Sequence, residues 1–253
     1  MSHLENIPFE EEQEDIKFCV TNYWMKRAES FYEQRQHELA SNKAARWLET
    51  FERATEGMEN LNVLDVGSGA GFFEVLLGKM GHLVTGIDLT PEMVDKANRF
   101  IAQEHLPVDQ VGAMVMDAEN LRFEDESFDV IISRNLTWTL PHPVEAYQEW
   151  HRVLKPGGLL LNFDAEYAKG EHEANRPENL AHKCIPEEMK QECHEIYHML
   201  TISTMNRPHW DKVVLKEVGF SQVDVDEEFY RKIFEEHDEF YIPDHMFMIR
   251  AVK

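Results

Sequence analysis

The sequence predicts a doubly wound α/β fold, and three features of residues 62–88 carry that prediction. Residues 62–66 contain a short apolar run, which is typical of a buried parallel strand. Residues 72–80 have the apolar spacing of a helix. A second apolar run, residues 83–87, predicts the next strand. A strand, a helix and a second strand in this order form a parallel unit that holds its ligand at the carboxyl ends of the strands.

A glycine turn and an acid follow the two strands of this unit. Gly67, Gly69 and Gly71 come after the first strand, and glycine lets the backbone turn sharply and approach a ligand closely. Asp88 comes after the second strand, 21 residues beyond Gly67. A carboxylate at that distance is placed to accept hydrogen bonds from a ribose diol. We therefore expect a nucleoside-containing cofactor. The alternative is that Asp88 only caps the next helix.

The spacing of the glycines distinguishes between such cofactors. In the dinucleotide-binding pattern G-x-G-x-x-G/A the third position is small, whereas Phe72 occupies it here. A bulky ring at that point hinders the approach of a pyrophosphate to the helix N-terminus. An NAD(P)-dependent oxidoreductase is therefore the first alternative rather than the main prediction.

Four further segments follow the glycine turn in a fixed order. They are residues 86–93 (GIDLTPEM), 116–121 (MDAENL), 128–135 (FDVIISRN) and 153–160 (VLKPGGLL). Together with residues 64–71 (LDVGSGAG), they resemble the motifs of the class I S-adenosylmethionine-dependent methyltransferases of small-molecule type, with a methyltransferase-11-like core. The resemblance covers about residues 61–163.

The resemblance implies a Rossmann-like methyltransferase fold with S-adenosyl-L-methionine as its cofactor. The implied sheet is seven-stranded and mostly parallel, with N-terminal helices and an antiparallel C-terminal hairpin. Asp88 would bind the ribose hydroxyls and Asp117 the adenine amino group, the alternative for Asp117 being an ordinary loop acid. The predicted cofactor-binding residues are Tyr23, Arg27, Tyr32, Gly67, Ser68, Gly69, Asp88, Leu89, Met93, Asp117, Ala118 and Asn135.

The region before the first strand is expected to form a helical lid. Residues 16–56 have helical spacing, and Tyr23, Arg27 and Tyr32 resemble a segment found ahead of the first strand in such enzymes. In that setting Arg27 or a tyrosine hydroxyl would meet the cofactor's carboxylate, because a guanidinium offers a two-pronged donor. The alternative is that the aromatic residues only pack the helices onto the core. Residues 1–15 are acidic and are predicted to form a solvated or frayed start.

The acceptor side of the site is expected after the fifth strand. Residues 164–208 interrupt the alternation of strands and helices with a polar, histidine-rich insertion that would face the substrate. The sequence assigns no catalytic residue, and His142 and Tyr167 are its candidates. A metal site is the alternative for this insertion, because it contains His182, Cys184, Cys193, His194, Glu195 and His198. Methyl transfer needs no metal, so we predict none.

Composition restricts the partners. The chain of 253 residues has 48 acidic and 25 basic side chains, for a formal net charge of −23. Nucleic-acid binding relies on Lys and Arg to neutralise phosphates, so this balance argues against RNA or DNA as substrate. No apolar run reaches the length of a membrane helix, and three cysteines without a CxxC pair indicate reduced thiols. A cytoplasmic protein acting on a small-molecule acceptor is expected, of undetermined oligomeric state.

We interpret residues 1–253 as a single methyltransferase domain. It comprises the acidic start and helical lid (1–56), the cofactor-binding core (61–163), the substrate-side insertion (164–208) and a final helix with the hairpin (209–253). The acceptor atom, whether N, O, S or C, stays open. A second alternative also stays open, namely a protein that binds S-adenosylmethionine without catalysis.

Overall fold

A computed structural model of the protein describes residues 10–170 and 178–253. The described chain forms one seven-stranded sheet in the order β3-β2-β1-β4-β5-β7-β6. Its strands are β1 (Asn62–Val66), β2 (Leu83–Asp88), β3 (Val111–Val115), β4 (Phe128–Arg134), β5 (Leu154–Asp164), β6 (Gln222–Asp226) and β7 (Phe247–Val252).

The sheet has the predicted doubly wound topology. Strands β1 to β5 pair in parallel, and β7 lies antiparallel between β5 and β6. The strand order reverses between β1 and β4, and in open parallel sheets the ligand binds at this reversal. The predicted fold class and its antiparallel C-terminal edge are therefore confirmed. The connection from β6 to β7 is a long excursion, residues 227–246, rather than a tight turn.

Helices cover both faces of the sheet. They are α1 (Glu10–Leu39), α2 (Asn42–Ala54), α3 (Phe72–Gly78), α4 (Pro91–Gln103), α5 (Pro143–Val153), α6 (Tyr167–Gly170), α7 (Glu187–Met199), α8 (His209–Val218) and α9 (Tyr230–Ile233). Three short 3₁₀ helices, Thr137–Thr139, Leu180–His182 and Thr201–Thr204, lie in the connections.

Two apolar clusters hold these layers together. Trp47 of α2 is 1% exposed and packs edge-on against Phe73 and Phe163, with ring centroids 5.4 and 5.0 Å away. On the other face Trp150 of α5 is fully buried and donates its indole N–H to the carbonyl of Ala118 at 3.0 Å. Large aromatic side chains supply much of the apolar area that stabilises such a core.

The N-terminal helix is longer than the sequence predicted. It begins at Glu10, so residues 10–15, predicted to be a frayed start, are helical, and residues 1–9 lie outside the described part of the chain. Even this 30-residue helix, the longest described, lacks an apolar stretch able to span a bilayer, as do the other described helices.

Candidate cofactor and acceptor site

A large cavity opens at the carboxyl ends of β1, β2 and β4, under helix α1. Gly67, Asp88 and Asn135 directly follow or end these strands and line the cavity. The space between its walls, including space open to solvent, is about 1360 Å³.

Asp88 connects the cavity to the glycine turn. Its Oδ2 accepts a hydrogen bond from the backbone N–H of Gly69 at 2.9 Å, and its Oδ1 accepts one from Thr90 at 2.8 Å. Burial raises the pKa of Asp88 above its ordinary value, against the opposing effect of these two bonds. Each carboxylate oxygen has further acceptor capacity. Asp88 therefore holds both loops in place and still faces the cavity.

The glycine turn requires its glycines for two different reasons. Gly67, Gly69 and Gly71 have φ angles of +69°, +54° and +88°, a left-handed region that favours glycine. A Cβ at Gly69 would also lie 2.9 Å from the ring of Phe31, which covers the turn from α1. Helix α1 thus lies directly against the glycine turn. Ser68, which was predicted to bind the cofactor, does not line the cavity.

Asp117 lies on the cavity wall and is paired with a residue that the sequence analysis missed. Lys17 Nζ of α1 lies 2.7 Å from Asp117 Oδ2 and 2.5 Å from Glu119 Oε2. Burial alone would lower the pKa of Lys17, but the bonds to both carboxylates outweigh it and raise the pKa. Lys17 thereby fastens the start of α1 to this end of the cavity.

The two catalytic candidates are placed differently. His142 is not in the lining; its Nδ1 lies 2.9 Å from Glu119 Oε2, and its backbone N–H donates to Glu119 Oε1 at 2.7 Å. Tyr167 lines the cavity and donates its hydroxyl to Asn135 Oδ1 at 2.6 Å. Burial raises the pKa of Tyr167 well above its ordinary value, so its hydroxyl stays protonated near neutral pH.

The predicted lid residues also divide. Tyr23 lines the cavity, and the buried Arg27 donates from Nη1 to its hydroxyl at 3.0 Å without lining the cavity itself. Tyr32 lies outside the lining and donates its hydroxyl to Gln103 Oε1 at 2.6 Å, so it joins α1 to α4. The remaining predicted residues in the lining are Leu89, Met93 and Ala118.

A buried ionic triad on the cavity wall was missed by the sequence analysis. Glu38 is fully buried and lies 2.7 Å from Arg35 Nη1 and 3.0 Å from Arg134 Nη2. Arg35 and Arg134 both line the cavity. Arg35 lies 29 positions before the first motif, which begins at residue 64, so no sequence pattern marks it. Arg134 ends β4 inside the motif of residues 128–135, which is the one available signal.

The histidine-rich insertion shows no metal site in the part of it that is described. His194 Nε2 and His198 Nε2 lie 3.0 Å apart on α7, as their spacing of four predicts. Across residues 10–170 and 178–253, however, no three His, Cys, Asp or Glu side chains are grouped to hold an ion. His182 and Cys193 instead line the cavity.

Two buried carboxyl groups lie beneath the glycine turn. Asp65 of β1 is 2% exposed and Glu74 of α3 is fully buried. A Cβ at Gly86 would lie 1.7 Å from Glu74 Oε1, so this glycine makes room for the carboxyl group. Burial raises the pKa of Glu74 to about 7, and burial together with Glu74 raises that of Asp65 well above its ordinary value.

Comparison with known proteins identifies the core. Residues 64–162 match the family model described as a methyltransferase domain. Residues 64–162 therefore form the core of a methyltransferase domain. Over these residues the predicted family is confirmed, and S-adenosyl-L-methionine is the cofactor of that family.

Individual relatives match the chain over part of their length. The chain is 31% identical over 173 residues to an uncharacterised protein of Haemophilus influenzae, covering 66% of this chain and 61% of that protein. It is 37% identical over 106 residues to an arsenite methyltransferase of Halobacterium salinarum, 40% of this chain and 26% of that one. A ubiquinone biosynthesis O-methyltransferase of Actinobacillus pleuropneumoniae is 31% identical over 116 residues, 45% and 50% of the two chains. The chain thus spans less than two thirds of each relative.

Solved structures show the same fold. A methyltransferase from Aquifex aeolicus superposes with a TM-score of 0.54 at 22% identity, covering 81% of this chain and 88% of that one. Phosphoethanolamine N-methyltransferase 2 from Haemonchus contortus gives a TM-score of 0.59 at 20% identity, covering 81% and 51%.

The acids beneath the glycine turn predict a pH dependence of stability. The folded-state pKa of Glu74, about 7, is above the ordinary value of 4.5, so the folded protein holds a proton that the unfolded chain releases. This contribution to the free energy of unfolding is present below pH 4.5 and is lost as the pH rises through 7. Glu74→Gln keeps the shape and cannot ionise, so urea unfolding should show a smaller loss of stability between pH 5 and pH 8 than in the wild type.

The exposed variant Glu56→Gln provides the control, and its pH profile should follow the wild type. A Glu74→Gln profile parallel to the wild type would contradict the assignment of a buried, proton-holding carboxyl group.

Proposed function

We propose that the protein transfers the methyl group of S-adenosyl-L-methionine to a small-molecule acceptor. The observation that carries this proposal is the cavity at the reversal of the strand order. There the glycine turn, Asp88 and Asp117 line one continuous wall beneath α1. These groups belong to the part of the chain that matches the methyltransferase family.

The chemistry of the wall suits this cofactor along its length. We assign the ribose diol to Asp88, because a carboxylate accepts hydrogen bonds from both hydroxyls. The adenine is assigned to Asp117 with Ala118, Leu89 and Met93, which supply an acceptor and an apolar surface. Gly67 and Gly69, which line the cavity, are assigned to the methionine part. Asn135, at the end of β4, is assigned to the same part.

Tyr23 and Arg27 are both assigned to the cofactor's carboxylate, but their roles differ from those expected from the sequence. Since Arg27 is buried and bonded to the Tyr23 hydroxyl, we infer that it orients that hydroxyl rather than binding the carboxylate itself. Neither Ser68 nor Tyr32 lines the cavity. Their roles in cofactor binding therefore stay predictions from the sequence.

The protein's part in the reaction is alignment and the exclusion of water. The cofactor, when bound, supplies a methyl group on a good leaving group, so positioning of the acceptor accounts for much of the barrier reduction. Tyr167 donates to Asn135 and so fixes the side chain at the end of β4. Trp138 packs on Tyr197 with ring centroids 4.7 Å apart, and both line the cavity next to Tyr167. A general base is required only if the acceptor arrives protonated.

The class of acceptor can be proposed, whereas the acceptor atom stays open. The names of the relatives include an arsenite methyltransferase and a ubiquinone biosynthesis O-methyltransferase, so the matched core occurs with more than one kind of acceptor atom. The net charge of −23 supports a small molecule rather than a nucleic acid. The single-domain organisation and the cytoplasmic location stay predictions from the sequence.

The proposed role of Asp88 can be measured directly. Asp88→Ala removes an acceptor of two hydrogen bonds and should weaken S-adenosylhomocysteine binding by about 1.5–3 kcal/mol, or roughly 10- to 150-fold, by calorimetry. Asp88→Asn keeps the shape but has one acceptor oxygen, so its amide nitrogen would face the N–H of Gly69 or Thr90, and the affinity should fall as well. The exposed Asp109→Ala is the control. Unchanged affinity in a folded Asp88→Ala protein would refute the assignment.

The lid proposal concerns helix α1, which Lys17 fastens at one end of the cavity. Since ligand binding beneath a helix opposes its local opening, S-adenosylhomocysteine should slow amide hydrogen exchange in residues 16–39. Lys17→Met should speed exchange at the start of α1 in the free protein. Arg53→Met, which breaks only an exposed pair with Glu49, should not. Identical exchange with and without saturating ligand would reject the lid.

Turnover is tested by formation of S-adenosylhomocysteine with a panel of phenols, thiols, amines and carboxylic acids. Product above the acceptor-free background supports the proposal. A protein that binds the cofactor and shows no turnover favours the non-catalytic alternative, and tight NAD binding without S-adenosylhomocysteine binding favours the oxidoreductase.

A further inference from the structure

At one corner of the cavity, two arginines form ion pairs with a single carboxylate among the described residues. We define the cationic corner as Arg35, Arg134, Gln34, Ala181 and His182, all of which line the cavity. Within the triad of Arg35, Arg134 and Glu38, two guanidinium groups share one carboxylate, which leaves one positive charge in excess. The side chains of Arg35 and Arg134 are only 8% and 9% exposed. Buried charge of this kind is costly unless an opposite charge completes it.

The guanidinium groups also have unused donors. Arg35 Nε and Arg134 Nε are buried, and among the described residues neither has a hydrogen-bond partner. An unpaired buried donor is unfavourable because it has lost its hydrogen bond to water and gained none in return. Arg35 and Arg134 stack on Phe31 and Trp47, each with its guanidinium carbon 4.5 Å from the ring centroid, which holds them against the wall. A ligand that brings acceptor oxygens to this wall would relieve both the unbalanced charge and the missing bonds.

His182 adds a donor of fixed tautomer to the same corner. Asn179 Oδ1 accepts the backbone N–H of His182 at 3.1 Å, so the Asn179 amide nitrogen is the atom 3.2 Å from His182 Nδ1. An amide nitrogen can only donate, which makes Nδ1 an acceptor and places the ring proton on Nε2. Burial, and then the charges of Arg27, Arg35 and Lys190, lower the pKa of His182 to about 3. The ring is therefore neutral at pH 7, and Nε2–H is its free donor.

Backbone and side-chain bonds close the corner. Gln34 Nε2 donates to the Ala181 carbonyl at 3.3 Å, and Gln34 Oε1 accepts from Arg35 Nη2 at 3.0 Å. The Ala181 N–H donates to the Tyr241 carbonyl at 3.1 Å. Phe234, Phe240 and Ile242 supply the adjoining apolar wall. Except for Arg134, these residues lie outside the matched range 64–162, on the part of the chain that surrounds the cofactor core.

We propose that the cationic corner binds a negatively charged oxygen group of the acceptor, so that the acceptor is a small, partly apolar acid. This proposal rests on the proposed methyltransferase function. Arg35 and Arg134 supply the charge, His182 Nε2–H supplies a neutral donor, and the aromatic wall receives the apolar part. The chain as a whole has a net charge of −23, which repels anions. A positively charged corner in such a chain would therefore select for an acidic acceptor.

The test uses matched acids and amides on the full chain saturated with S-adenosylhomocysteine. The probes are acetate with acetamide, benzoate with benzamide, and phenylacetate with phenylacetamide, compared by ligand-observed NMR titration. In the wild type at least one acid should bind at least 10-fold more tightly than its amide. His182→Leu and Arg35→Lys should each reduce this preference at least 5-fold and leave the affinity for S-adenosylhomocysteine unchanged. His209→Leu, an exposed histidine on α8, should change neither quantity.

The outcomes separate the two proposals. If the wild type fails to bind S-adenosylhomocysteine, the proposed function fails. If it binds this ligand but prefers no acid over its amide, only the cationic corner is refuted. The corner is also refuted if Arg35→Lys weakens S-adenosylhomocysteine while the acid preference stays, because the guanidinium then serves the cofactor's own carboxylate. Should Arg35→Lys not fold, His182→Leu decides the question alone, since the half-buried His182 lies outside the ionic triad.

Discussion

The geometry of the site depends on the contacts that the buried carboxylate of Glu38 makes. It lies near the end of α1 and accepts a hydrogen bond of 3.0 Å from the indole N–H of Trp47, which belongs to α2. It also pairs with Arg134 at the end of β4. One buried group thus joins both N-terminal helices to the strand that ends at the cavity. Because Phe31 is on the same helix, this connection also fixes the ring that covers Gly69.

Helix α1 is held at both ends of the cavity by charge, and between them by aromatic packing. At the far end Lys17 bridges Asp117 and Glu119, while Arg35 and Glu38 hold the near end. The two attachments differ in burial, since the Lys17 side chain is 26% exposed and that of Glu38 is fully buried. Partly solvated pairs contribute less to stability than buried ones cost to break. We therefore expect the start of α1 to open more readily than its end.

Burial in the core also affects the pKa values of three carboxyl groups at and beneath the glycine turn. Asp65, Glu74 and Asp88 lie close enough for their charges to interact, and burial opposes the ionisation of each. Burial raises the pKa of both groups beneath the turn, whereas Asp88 also accepts two backbone N–H groups that favour its charged form. The acid that faces the ligand is thus the one that the backbone keeps ready to accept hydrogen bonds.

The sequence by itself determined the βαβ core, the class of cofactor and the acids at the strand ends. These features are local: alternation of apolar runs, a glycine turn and an acid 21 residues on are read within one short stretch. Asp88, Asp117 and the glycine turn were found because parallel strands bring their carboxyl ends to one edge. Composition likewise limited the partners without any structure.

Only the tertiary structure decided which other side chains meet this edge. Lys17 contacts Asp117 across 100 residues, and Arg134 contacts Glu38 across 96, so no local pattern marks either pair. It also separated Tyr23, which lines the cavity, from Tyr32 nine positions later, which points to α4. The helical period places both on α1, but the packing of that helix on the sheet determines which side faces the ligand. The cationic corner depends on three distant segments for the same reason.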